Sequence, residues 1–282
     1  MFLQPSLCGG SLISLDPAWI LTAAHCIKDY PNLDPSIMID AVAYGNSNVS
    51  SLQFASIRRT IVHPKYMEKL NTTTKYDIGL VELTAPLKQT ASVSRAALWP
   101  DPVLPTSAGS FSVMGMGYIG VHQPQAELLQ VAKNEPRKDV NETTSSLILS
   151  KSESTLCHGD SGSPLIWEED LIALTPPENQ YVVGILNRIL HAYDPDPSDQ
   201  TCPIPDKNLQ NVVNAFSRVS VHMEWISNTT QISPEELTTP DIFEIPKLNF
   251  VVASTGSEQH TKASTLFAFM LMTCLYWLCA SA

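Results

Sequence analysis

Basic residues are scarce in this chain. Its 282 residues hold 17 Lys and Arg against 28 Asp and Glu, a formal net charge of −11, and no stretch concentrates the cations. Phosphate backbones are bound by clustered Lys and Arg, so a nucleic-acid partner is excluded and the acidic balance reads as solubility. The opening Met1-Phe2-Leu3-Gln4-Pro5-Ser6-Leu7 has no basic region and too short an apolar run for a signal peptide. The Asp-rich run Asp194-Pro195-Asp196-Pro197-Ser198-Asp199 lacks the glycine and the ligand order of a calcium loop. It reads as a solvated loop, and neither a metal nor another cofactor is expected.

Cysteine is rare as well, with only Cys8, Cys26, Cys157, Cys202, Cys274 and Cys279. The last two fall in an apolar end, which leaves four for the folded region. Free thiols suit a cytosolic chain and disulfides an oxidising compartment. Asn-X-Ser/Thr sequons at Asn48, Asn71, Asn141 and Asn228 favour the second.

From residue 41 to 84 apolar and polar residues alternate in short runs, a pattern of strands and turns rather than helices. His63, alone at a strand end, reads as structural. The chain divides into a β domain over 1–228, a Pro- and Glu-dotted stalk over 229–256, and an end over 257–282. That end sets a polar spacer before the apolar run 266–282, after the small residues Ser254-Thr255-Gly256-Ser257. This is the layout of a glycosylphosphatidylinositol attachment signal. A transmembrane helix is the alternative, but the run is slightly short and nothing basic follows it. The expected location is secreted or on the outer face of the plasma membrane, held only by a C-terminal lipid anchor.

The stretch richest in chemistry is Gly159-Asp160-Ser161-Gly162-Ser163-Pro164-Leu165. Glycines on both sides of a serine let the main chain turn tightly. Ser161 Oγ can then be presented as a nucleophile while the N–H groups of Gly159 and Ser161 converge on an oxyanion. An ordinary Gly/Ser turn is the competing reading.

Two upstream motifs decide between them: Leu21-Thr22-Ala23-Ala24-His25-Cys26 and Asp77-Ile78-Gly79-Leu80-Val81. Together with the serine motif they resemble the trypsin/chymotrypsin-like serine protease family. The resemblance implies an all-β fold of two six-stranded antiparallel barrels with a short C-terminal helix; the family's N-terminal strand looks to be missing here. It implies a triad of His25, Asp77 and Ser161, an oxyanion hole at Gly159 and Ser161, and a protein or peptide substrate. It also implies disulfides Cys8–Cys26 and Cys157–Cys202, the first contributing on the order of 3 kcal/mol in the chain-entropy model.

The primary pocket is implied at Thr155, with a wall of Asn187-Arg188-Ile189 where family members carry Ser-Trp-Gly. No acidic residue stands at its base, so small or medium apolar residues are expected at the cleavage position. The family activates when a freed N-terminal amine settles beside the aspartate that precedes the nucleophile, here Asp160. An activating protease is thereby implied, yet nothing in Met1 to Leu7 supplies that amine. An incomplete beginning is the expectation, with a fragment or a never-activated protein as alternatives. Two functions follow: a serine endopeptidase made as a zymogen, or a catalytically silent homologue that acts as a binding module.

Overall fold

The computed structural model describes residues 2–3, 8–28, 41–66, 73–106, 109–119, 124–137, 146–152, 156–169, 180–191 and 212–241. The chain separates into Met1–Phe243 and Glu244–Ala282; the second unit, with the attachment-signal expectation, lies outside the described residues.

Strands dominate the first unit, as the short alternating runs require. One sheet contains β1 (Phe2–Leu3), β2 (Cys8–Gly9), β3 (Ser11–Leu15), β4 (Ala18–Thr22), β5 (Ala41–Tyr44), β6 (Gln53–Val62) and β7 (Gly79–Leu83), in the order β2-β1-β5-β6-β7-β4-β3. Its end strands are successive pieces of one segment parted at Gly10, so the sheet curls into a half-barrel. A strand therefore does precede Cys8, where the sequence suggested none. It is two residues long and pairs with both β2 and β5.

The second sheet contains β8 (Ala97–Leu98), β9 (Gly109–Gly115), β10 (Gln130–Pro136), β11 (Leu147–Ser152), β12 (Pro164–Glu169), β13 (Gln180–His191) and β14 (Val212–Arg218). Its order is β12-β9-β10-β11-β14-β13-β8, and β12 also pairs with β13. That pairing closes a six-strand barrel and leaves β8 as a parallel flap on β13.

Alternation along each strand sorts side chains between cores, because successive Cβ atoms point to opposite faces. On β4, Ala18 and Ile20 enter the interior of the first sheet with Val42, Val81 and Leu83. Trp19 and Leu21 point the other way, into a cluster with Leu80, Leu98, Val182 and Ile185 that joins the two sheets. On β13, Val183 and Leu186 instead fill the second barrel with Val113, Leu165, Trp167 and Phe216. β7 is buried along its whole length, Glu82 included. That carboxylate is held by Arg58 Nη1 at 3.0 Å and Arg59 Nε at 2.5 Å, which offsets the cost of burying a charge.

Helix α2 (Met223–Thr230) ends in a left-handed Gln231, φ 61°. The packed unit continues past residue 228, where the linker expectation begins. Ser233 caps a one-turn helix α3 (Pro234–Thr238), its side chain accepting from Glu236 N at 3.1 Å. Ile232 and Leu237 are buried in the cluster between the sheets. Arg95 holds this segment from outside: it donates to Glu236 O at 2.7 Å and Thr239 O at 2.9 Å, and pairs with Asp241 Oδ1 at 2.6 Å.

Candidate active site

β4 runs straight into the short helix α1 (Ala24–Ile27), which sets His25 at the end of a buried strand. The imidazole is half-buried, and its Nδ1 lies 2.7 Å from Asp77 Oδ2. The other carboxylate oxygen accepts the His25 backbone N–H at 2.8 Å. One aspartate thus fixes both the ring and the main chain that carries it.

Asp77 is buried, entering β7 from the turn Thr73–Tyr76. Its carbonyl accepts from Ser217 Oγ at 2.8 Å, and Asn187 Nδ2 donates to the same hydroxyl at 3.4 Å. Behind it, His63, Tyr76, His222 and Trp225 form a ring cluster, with centroid separations of 5.0 Å for His63–Tyr76, 5.2 Å for His63–His222 and 4.8 Å for His63–Trp225. Burial pushes His222 down to about 4, helped by the neighbouring His63. His63 is lowered too, by burial and then by Lys65.

The serine motif forms the loop before β12. Gly159 and Gly162 adopt φ 95° and 80°, a left-handed backbone that glycine alone enters freely. A Cβ on Gly162 would also collide with Thr22 Oγ1 and the Gly9 carbonyl. The loop is fastened on two sides. Gly162 N donates to Leu186 O and Leu186 N to Ser163 O, each at 2.8 Å, while Gly9 N donates to Ser161 O at 2.7 Å. Gly9 O in turn accepts from Thr22 Oγ1 at 2.8 Å. Gly9 therefore links the backbone of Ser161 to the strand that ends three residues before His25. Among the described residues, neither the Gly159 nor the Ser161 N–H donates to a protein acceptor.

Asp160 is buried beneath this loop. Its Oδ1 accepts from Gly117 N and its Oδ2 from Cys157 N, both at 2.9 Å. Burial raises its pKa, and the two N–H donors offset only part of that rise.

The Cys8–Cys26 disulfide is present, S–S 2.09 Å, beside His25. Cys8, His25 and Cys26 stand close enough together to suggest a metal site, but both sulfurs belong to the disulfide and neither offers a thiolate. Cys157 is also disulfide-bonded; Cys202, its expected partner, lies outside the described residues.

Thr155 lies outside them too, and so do Asn71 and Asn141. Asn187, expected in the pocket wall, is buried and turned towards Ser217, whereas Arg188 is exposed and Ile189 half-buried. Asn48 caps a short 3₁₀ turn by accepting from Ser50 N at 2.9 Å. Asn228 is exposed on α2. Sequence reasoning missed Gly9 as a link and Ser217 as a support for Asp77; a contact spanning 140 positions leaves no local signal.

Comparison with known proteins settles the family, because a model described as Trypsin matches residues 2–195. The chain belongs to the trypsin family. This trypsin-family chain is 27% identical over 80% of its length to serine protease 28 of Mus musculus, covering 78% of that protein. It is 26% identical to transmembrane protease serine 11E of Mus musculus over 80% of its own length, and spans 49% of that longer protein. Mast cell protease 3 of Ovis aries is 28% identical over 79% of this chain. Neuropsin, a serine protease expressed in the limbic system of mouse brain, shares the fold at 20% identity and a TM-score of 0.56, covering 79% of this chain and 89% of its own.

Proposed function

We propose that this trypsin-family chain is a serine endopeptidase acting through His25, Asp77 and Ser161. The observation that carries the reading is the double hold of Asp77 on His25, at 2.7 Å to the ring and 2.8 Å to the main chain. With Nδ1–H bonded to the carboxylate, Nε2 is the basic nitrogen. It takes the proton of Ser161 Oγ as that oxygen attacks the scissile carbonyl, and returns it to the leaving amine. Asp77 stabilises the imidazolium between these steps. The N–H groups of Gly159 and Ser161, without a protein acceptor among the described residues, receive the oxyanion, each such donor being worth roughly 3 kcal/mol. Water, deprotonated by His25, then hydrolyses the acyl-enzyme and restores the Ser161 hydroxyl.

At the cleavage position the site takes small or medium apolar residues, set by Thr155, Arg188 and Ile189, while the Asn187 side chain turns inward to Ser217. The protein is made as a zymogen in the secretory route, cut by an activating protease, and held outside the cell by a lipid attached near Ser257. Its peptidase domain takes in the packed segment up to Asp241 beyond the expected boundary at 228, a stalk follows to residue 256, and the attachment signal occupies 257–282. Sequons at Asn48, Asn71, Asn141 and Asn228 carry glycans.

A fluorophosphonate probe tests the chemistry. Labelling of the processed protein, lost in Ser161→Ala, is the expected result. No labelling of the processed protein would leave the silent binding homologue, for which the burial of Asp160, only partly offset by its two N–H donors, speaks. Preference for Arg/Lys reporter peptides over apolar ones would overturn the pocket assignment. Retention on cells after treatment with a phosphatidylinositol-specific phospholipase would overturn the anchor.

A further inference from the structure

The Cys8–Cys26 bond lies against the proposed general base. Cys8, His25 and Cys26 bring two sulfurs and an imidazole nitrogen together, with the three ligand-type atoms all within 4.8 Å of one another. Cys26 Sγ is 3.7 Å from His25 Nε2. That separation is close to the edge of a zinc tetrahedron. Bonds of about 2.3 Å to sulfur and 2.0–2.1 Å to nitrogen set those two atoms about 3.6 Å apart.

The imidazole is already prepared as a ligand. A carboxylate only accepts, so the 2.7 Å bond from Nδ1 to Asp77 Oδ2 places the proton on Nδ1. The lone pair is then on Nε2, the nitrogen that faces the sulfur. A carboxylate behind a metal-bound histidine fixes its tautomer and ring angle in the same way. Oδ1 of Asp77 accepts the His25 N–H at 2.8 Å and holds the main chain as well. The His25 side chain is 31% exposed and Cys26 is half-buried, whereas Cys8 is buried. Attack on the bond from solvent therefore falls on Cys26 Sγ.

We propose that the Cys8–Cys26 disulfide masks a zinc site, opened by a dithiol reductant and completed by His25 Nε2. One thiolate of the reductant bonds to Cys26 Sγ; the disulfide breaks and its electron pair leaves on Cys8 Sγ. The reductant's second thiolate then closes a cyclic disulfide and expels Cys26 Sγ. The dithiol is oxidised by two electrons, and its two protons pass to the two cysteines. Zn²⁺ displaces both protons and is held by Cys8 Sγ, Cys26 Sγ and His25 Nε2, with water in the fourth position. Two thiolates balance the charge of the ion, which lowers the cost of holding it in a half-buried place. Thiolate and imidazole ligands select zinc over calcium and magnesium, which take oxygen. Once bound to zinc, Nε2 cannot take the proton of Ser161, so the metal stops the serine chemistry. That last consequence, unlike the metal site itself, rests on the function proposed above.

The test is titration of the whole chain with Zn²⁺, and with Co²⁺ as the spectroscopic probe, after reduction by a water-soluble phosphine that adds no competing thiol. The reduced chain should bind one ion, show a thiolate-to-cobalt absorption band and melt at a higher temperature in Zn²⁺; the oxidised chain should do none of these. Asp77→Asn should keep the band and lower the affinity about 10- to 100-fold, as expected for the group behind a metal-bound imidazole. The double variant Cys8→Ala, Cys26→Ala, reduced in the same way, should not bind. A reduced chain that binds no Zn²⁺, or that stays unfolded by circular dichroism when Zn²⁺ is present, overturns the proposal. So does binding of equal strength in the double variant or in His25→Ala, which would mark other groups as the ligands. Fluorophosphonate labelling of the reduced, processed protein should stop with Zn²⁺ and return with a chelator. A protein that binds Zn²⁺ as described but is labelled in no state keeps the metal site and fails the catalytic reading.

Discussion

Asp77 grips His25 twice, through Oδ2 to the ring at 2.7 Å and through Oδ1 to the backbone N–H at 2.8 Å. The second bond makes ring orientation a property of the main chain as well as of a rotamer. Ser217, donating to the carbonyl of the same aspartate, fixes the third side of the arrangement.

Asp77→Asn should therefore fold and fail. An amide keeps the size of the carboxylate but presents an N–H to one nitrogen, which leaves the wrong imidazole tautomer. In the triad template this exchange lowers turnover about 10⁴-fold. The check is the rate of fluorophosphonate labelling beside an unchanged melting temperature.

His222 makes stability depend on pH. Its folded pKa of about 4 lies below the ordinary 6.5, and His63 is shifted the same way. Between those values the unfolded chain binds more protons than the folded one, so stability is complete above about pH 6.5 and falls as pH drops towards 4. For His222 the loss amounts to roughly 3 kcal/mol at most. Melting temperatures at pH 7.5 and 4.5 measure it. His222→Phe, which keeps a ring among His63, Tyr76 and Trp225, should flatten the difference.

Gly162→Ala should be among the most damaging single-carbon additions to this chain. The new Cβ meets Thr22 Oγ1 and the Gly9 carbonyl at a φ of 80°. We expect a loss of about 2 kcal/mol or more from strain and displacement, seen in urea unfolding. Ser161 labelling should fall with it, because the same contact seats the loop against the strand leading to His25.

Arg95→Ala should release the segment after α2. The guanidinium holds two carbonyls and the Asp241 carboxylate, with side chains only 14% and 18% exposed. Its removal should cost about 1–3 kcal/mol. Limited proteolysis should then cut between 231 and 241, a region the parent protects by burying Leu237.

Much of this was legible in the sequence because it is local. The turn-forming glycines around Ser161 and the strands within residues 41–84 follow from neighbouring residues and strand period. The Cys8–Cys26 bridge came from the family resemblance and stands in the structure. Other features escaped the residue pattern. The strand Phe2–Leu3 is too short to show an alternation. The packing of 231–241 depends on Arg95, far away in the chain, while its own Pro and Glu read as stalk.

The residues by themselves determined which groups are available: an imidazole beside a cysteine, a carboxylate opening a buried strand, a serine between glycines. Only the tertiary structure decided that Gly9 joins the serine loop to the histidine strand and that Asn187 turns inward to Ser217. Composition and period constrain a chain over one or two turns of backbone. Contacts between positions a hundred residues apart exist only once two sheets have closed on each other and excluded water, and no local pattern encodes which partners that closure will select.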